Sequence, residues 1–178
     1  MPLEPADLER LLDPAFMEDL PGRSTEDIRL SRTALQEAEV AISFMRRLLQ
    51  GRLDIVEAER ARRGEDSQDT RSLVESLPDI LSEGGRTSGN GRLPTYINPG
   101  EQAAALVVEL DRVADPGMLT QVPELSDAAL DGIVTALTDL EHEVSGRRRA
   151  LHERLDAINA ELVRRYQTGQ ASVDTLLR

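Results

Sequence analysis

The sequence predicts an all-α protein: an antiparallel coiled-coil hairpin of two long helices with short connecting helices. Three observations carry that prediction. Apolar residues recur every seven positions in two long stretches, each stretch opens on a serine followed by acids, and aromatic residues are too few to fill a large enclosed core.

Residues 1–23 form an N-terminal tail with four prolines and a short helix near Asp7–Leu12, whose Leu8, Leu11, Leu12 and Phe16 can fold back on the core or dock elsewhere. Pro21-Gly22 punctuates the chain. Ser24 then caps the first long helix, 24–63, with Glu26 and Asp27 favourably placed in its first turn. Ile28, Leu35, Ile42, Leu49 and Val56 recur every seven residues, which is a coiled-coil seam. Gly51 lowers helix stability by about 1 kcal/mol relative to Ala and suggests a close approach there. Residues 64–125 form a connection with a short helix over Ser72–Ser82, a flexible loop at 82–94, a second short helix over Glu101–Ala114 and a turn at Asp115-Pro116-Gly117. Ser126 caps the second long helix, 126–167, and its seam is Leu137, Val144, Leu151 and Ile158. The short helices are expected to cover one end of the hairpin. Residues 168–178 are a C-terminal tail.

At 178 residues the chain suits one domain. Its net charge of −12 disfavours direct DNA binding, which draws on a broad basic face. With no cysteine, disulfides, thiolate zinc sites and thiol catalysis are excluded. No apolar run suits a membrane span, and the acidic start lacks a secretory pattern, so a cytoplasmic location is expected. All basic side chains are arginine, whose planar fork suits phosphate and guanine. The Gly-rich run 82–94 lacks the spacing and the lysine of a P-loop.

The strongest signal is a repeat. EVAISFMRRLLQGRLD (39–54) aligns without gaps with EHEVSGRRRALHERLD (141–156), and most of the identities are polar. Glu39, Ser43, Arg46 and Asp54 match Glu141, Ser145, Arg148 and Asp156, while Gln50 becomes His152. At about 100° per residue the five positions fall in a stripe about 80° wide and about 22 Å long. Both stripes flank the seam in the same register. Packed antiparallel and matched centre to centre, they put Glu39 across from Asp156, Asp54 across from Glu141 and Arg46 near Arg148. Arginines brought together repel one another unless an anion lies between them, so a two-fold anionic ligand is expected. Guanine offers O6 and N7 to an arginine fork and N1–H and N2–H to a carboxylate, and a cyclic dinucleotide of guanine joins two such bases with two phosphates. A solvated coiled-coil flank without a ligand, as in a structural adaptor, is the alternative.

The spacing E-x3-S-x2-R-x3-Q-x3-D, complete at Glu39, Ser43, Arg46, Gln50 and Asp54 and met at four of five positions in the second copy, resembles the signature of the RsiG family, cyclic-di-GMP-dependent anti-sigma factors. The resemblance implies that the ten positions contact cyclic di-GMP, bound as an intercalated nucleotide dimer. It also implies that the liganded hairpin sequesters a sporulation sigma factor of the WhiG type. His152 departs from the pattern: its reach is shorter than that of glutamine and, unlike an amide, it can carry charge. Cyclic di-GMP would be a regulatory ligand, with no cofactor or metal. Neither His142 nor His152 lies in a metal-binding motif, and open helical flanks enclose little, so catalysis is not expected. One chain supplies both motif copies, so a monomer is expected before partner binding.

Overall fold

The computed structural model describes residues 3–64 and 103–170. Two long helices, α2 (Thr25–Gly64) and α5 (Asp127–Gln167), pack antiparallel along almost their whole length. Three shorter ones accompany them: α1 (Pro5–Leu12), α3 (Ala104–Val113) and α4 (Pro116–Gln121). No strand occurs among the described residues. The hairpin foreseen from the seven-residue recurrence is therefore the observed fold. The segment Ser72–Ser82 and the loop 82–94 lie outside the described residues.

Both long helices start where their serines place them. The Ser24 hydroxyl accepts from the Asp27 backbone N–H at 3.0 Å, and that of Ser126 accepts from Ala129 N–H at 3.3 Å, each satisfying a donor that a helix N-terminus leaves free. Ile28, Leu35, Ile42, Leu49 and Val56 on α2 are fully buried, as are Leu137, Val144, Leu151 and Ile158 on α5, with Leu130 extending that series. With these seam residues as heptad position a, the other buried positions on α2 lie largely at d, among them Ala38, Met45, Arg52 and Glu59. The long helices thus bury one side of the seam under a second layer.

That layer is the pair α1 and α3. Leu8 and Leu11 of α1 are buried with α5 beneath them, so the N-terminal tail folds back on the hairpin. Leu106 and Leu110 of α3 are buried chiefly against α2. The short helices α1 and α3 therefore lie along a side of the hairpin, where an end was expected. Asp115-Pro116-Gly117, read as a turn, instead opens α4: the Asp115 carboxylate accepts from Gly117 N–H at 2.7 Å, and proline at the first helical position needs no donor partner. Open space surrounds the position that a Cβ on Gly51 would take, so no described part of the chain makes the close approach that the glycine suggested.

The repeat runs far beyond the polar motif. Residues 8–24, LERLLDPAFMEDLPGRS, correspond to residues 110–126, LDRVADPGMLTQVPELS, at the same spacing of 102 that separates Glu39 from Glu141 (141 − 39). The contacts recur in reciprocal pairs. Arg52 on α2 donates to the Ala114 carbonyl behind α3, and Arg154 on α5 donates to the Leu12 carbonyl behind α1. At the C-terminal end of α2, Arg62 and Arg63 both donate to the buried Glu59 at 2.7 Å, and Arg63 also reaches the carbonyls of Val122, Pro123 and Leu125 ahead of α5. At the C-terminal end of α5, Arg164 and Arg165 donate to Glu161, and Arg165 reaches the carbonyls of Leu20 and Pro21 ahead of α2. Each half of the chain ends by clasping the start of the other.

These clasps make stability sensitive to acid. Arg164, and then Arg165, hold the Glu161 carboxyl down to about 2 from an ordinary 4.5, and Arg62 leads in lowering that of Glu59. Because the folded state binds these protons less readily than the unfolded chain, the stabilisation is complete above about pH 4.5 and drains away as pH falls toward 2. Burial raises the Asp54 carboxyl, which works in the opposite sense. Urea unfolding midpoints are expected to fall between pH 5 and pH 2.5, and to fall less in Glu161→Gln; equal slopes would rule out this linkage.

Candidate functional site

The motif residues stand on the side of the hairpin that α1 and α3 leave alone. Glu39 and Arg46 are heptad e positions, Ser43 and Gln50 are b positions and Asp54 is an f position; Glu141, Arg148, Ser145, His152 and Asp156 repeat that assignment on α5. Positions b, e and f lie on the far side of the seam from d. All ten are half-buried or exposed, and no described element covers them.

The two stripes meet in two crossed clusters. Arg46 donates through Nε to Glu141 Oε1 at 3.0 Å and to Ser145 Oγ at 2.8 Å, and Gln50 Nε2 lies 3.5 Å from the same Glu141 oxygen. In the mirror cluster Arg148 donates through Nε to Ser43 Oγ at 2.9 Å, with Glu39 Oε1 at 3.4 Å, and His152 Nε2 lies 3.3 Å from that Glu39 oxygen. Within each copy the serine donates to its own glutamate, at 2.7 Å for Ser43 and 2.8 Å for Ser145. His152 thus stands where Gln50 stands in the other copy, near the glutamate of the opposite helix.

This pairing differs from the centre-to-centre match. The glutamates meet the arginine and the glutamine or histidine of the other copy, about one helical turn from the aspartates expected opposite them. The contacts run diagonally across the seam, Arg46 to Glu141 and Arg148 to Glu39, because the long arginine side chains reach along the helices as well as across them. The charge argument shifts too. Each arginine already has a carboxylate, so the two cations do not by themselves require an anion between them.

What the clusters leave free is informative. Arg46 and Arg148 are each held through Nε, and among the described residues neither uses a terminal guanidinium nitrogen in a hydrogen bond. Their side chains remain about one third exposed, 33% for Arg46 and 39% for Arg148. Each therefore keeps its two terminal nitrogens uncommitted among the described residues, on a side chain partly open to solvent. Asp54, half-buried, and Asp156, exposed, form no hydrogen bond or ion pair among the described residues. Burial raises the Asp54 carboxyl, which still carries its full acceptor capacity when ionised. Arg46 and Asp54 are two turns apart, about 12 Å of helix rise.

Sequence reading missed the supporting residues. Arg52 and Arg154 fasten the short helices to the long ones, Arg63 and Arg165 clasp the segments that lead into the long helices, and all four stand at the repeat spacing of 102 (154 − 52 and 165 − 63). Arg52 and Arg154 are identities within the aligned segments 39–54 and 141–156; extending the comparison along the chain would have added Arg63 and Arg165. Among the described residues no group of three or more acids or histidines could hold a metal ion, and no helix is long and apolar enough to cross a membrane.

A family model described as RsiG-like matches residues 14–81 and 116–178, more than half of the chain. The two matched stretches start 102 residues apart (116 − 14), the spacing of the internal repeat. No curated relative matches the chain.

Proposed function

The chain belongs to the RsiG-like family of regulators, and from that premise we propose that its open flank binds cyclic di-GMP and that the liganded hairpin sequesters a sporulation sigma factor of the WhiG type. The observation that carries this reading is the pair of unspent guanidinium edges on Arg46 and Arg148, related by the internal repeat and accompanied by the unpartnered acids Asp54 and Asp156. Arginine forks suit guanine O6 and N7 or phosphate, and carboxylates suit guanine N1–H and N2–H. Two such sets on one flank suit a ligand that is itself two-fold, as a cyclic di-GMP dimer is.

The proposed switch is a linkage. Nucleotide bound on the flank adds surface complementary to the sigma factor, and each ligand then raises the affinity for the other by the same factor. Falling nucleotide releases the sigma factor and transcription resumes; no catalysis is involved, and the protein acts as a monomer in the cytoplasm. Titration calorimetry is expected to show saturable binding of cyclic di-GMP and at least tenfold weaker binding of cyclic di-AMP. Equal binding of the two would refute recognition of guanine by the carboxylates.

A structural adaptor is the competing reading, and the crossed ion pairs favour it, because they neutralise both arginines without a guest. It expects no heat from either nucleotide.

A further inference from the structure

The open flank does not end with the motif, and its two ends differ. At the end formed by the start of α2 and the finish of α5, a groove of about 640 Å³ continues both stripes. Its residues Arg29, Arg32, Gln36, Asn159, Val163 and Tyr166 occupy the same b, e and f positions as the motif, one to three turns farther on. No carboxylate lines it, in a chain of net charge −12. Arg29 is held by the Tyr166 hydroxyl at 2.9 Å and by Glu26 at 3.6 Å, while Arg32 is exposed and without an ion-pair partner among the described residues. Val163 is 53% exposed.

The internal repeat locates the counterpart of this groove at the opposite end of the flank, and there the chemistry is reversed. Arg29 corresponds to Asp131, Arg32 to Val134, Asn159 to Glu57 and Val163 to Ala61. Arg60 closes across that end on Asp131 at 2.8 Å and Arg63 on Asp127 at 2.9 Å, so both cations there are already matched. The motif clusters are nearly symmetric; the ground on either side of them is not, with the unpaired Arg32 at one end and the exposed Glu57 at the other.

We infer that the Arg29/Arg32 groove seats an acidic, partly apolar segment of the protein partner, and so fixes the direction in which that partner lies along an otherwise two-fold site. The inference rests on the reading that a protein covers this flank. The exposed Val163 beside the uncommitted guanidinium of Arg32 suits a peptide carrying both carboxylates and aliphatic residues. The acidic counterpart end would repel the same segment, so the reversed orientation is disfavoured.

The test compares Arg32→Glu with Ala61→Glu, an exposed position at the other end, in the full chain. With nucleotide present, capture of the WhiG-type sigma factor is expected to weaken at least tenfold in Arg32→Glu and less than twofold in Ala61→Glu, while both keep cyclic di-GMP affinity within twofold of the parent. Undiminished capture by Arg32→Glu, or equal loss in both variants, overturns the inference; a parallel loss of nucleotide affinity in Arg32→Glu assigns the groove to the nucleotide instead. A second arm needs no sigma factor. A glutamate-rich peptide containing two leucines, titrated at low salt, should shift the Asn159 and Tyr166 amide resonances of the parent and not those of Arg32→Glu. Absence of shifts in the parent counts against the groove, whereas failure of the parent to capture the sigma factor while these shifts appear counts only against the named partner.

Discussion

Replacing Arg46 and Arg148 together by alanine is expected to weaken cyclic di-GMP binding by at least 100-fold while leaving helical content unchanged. Hydrogen bonds to charged groups contribute about 1.5–3 kcal/mol each, and every 1.4 kcal/mol is a factor of ten, so loss of both guanidinium edges exceeds that threshold. The single variants should lose comparable affinity, because Arg46 and Arg148 have matching partners in crossed clusters. The fold should survive. Both ion pairs are partly exposed, with Arg46 at 33% and Arg148 at 39%, and such pairs contribute about 1 kcal/mol or less. Calorimetry with far-ultraviolet circular dichroism on the same samples reads both quantities. Unchanged affinity in the double variant would leave the flank without a nucleotide role and favour the adaptor.

The second large effect concerns stability. Arg165 is 5% exposed, and its guanidinium serves Glu161, Thr25 and the carbonyls of Leu20 and Pro21 at once. Truncating it to alanine leaves the carbonyls of Leu20 and Pro21 without their donor and opens the join between α5 and the start of α2, at an expected cost of about 3 kcal/mol. Arg164→Ala, whose side chain is 46% exposed, should change the urea midpoint little. If the two variants unfold at the same urea concentration, Arg165 is not the clasp described here.

The long helices and their starts were legible because each was specified twice. Ser24 and Ser126 are strong caps, and the seven-residue recurrence of Leu35, Ile42 and Leu49 and of Leu137, Val144 and Leu151 tells helix from strand without reference to neighbours. The polar stripes were legible for the same reason: spacing alone brings Glu39, Ser43, Arg46, Gln50 and Asp54 to one face. Their partners were not. Which side chain meets which across an antiparallel seam depends on the axial stagger and on how far arginine reaches along the seam, and neither is written in a spacing. So Glu39 meets Arg148 and His152, and Asp156 has no partner among the described residues. The cover provided by α1 and α3 was hidden differently. Arg52 and Arg63 read as surface charges until the carbonyls they bind, 62 and 59 residues away for Ala114 and Val122, are brought alongside.

The crossed construction of the clusters has a mechanical consequence. In each, the arginine comes from one helix and the glutamate–serine pair from the other, so a slip of α2 along α5 by one turn, about 5.4 Å, would carry both guanidinium groups away from both acids together. The flank behaves like a vernier, its marks coinciding at a single setting. Any force or partner that shears the two rods past each other would erase both halves of the recognition surface in one movement.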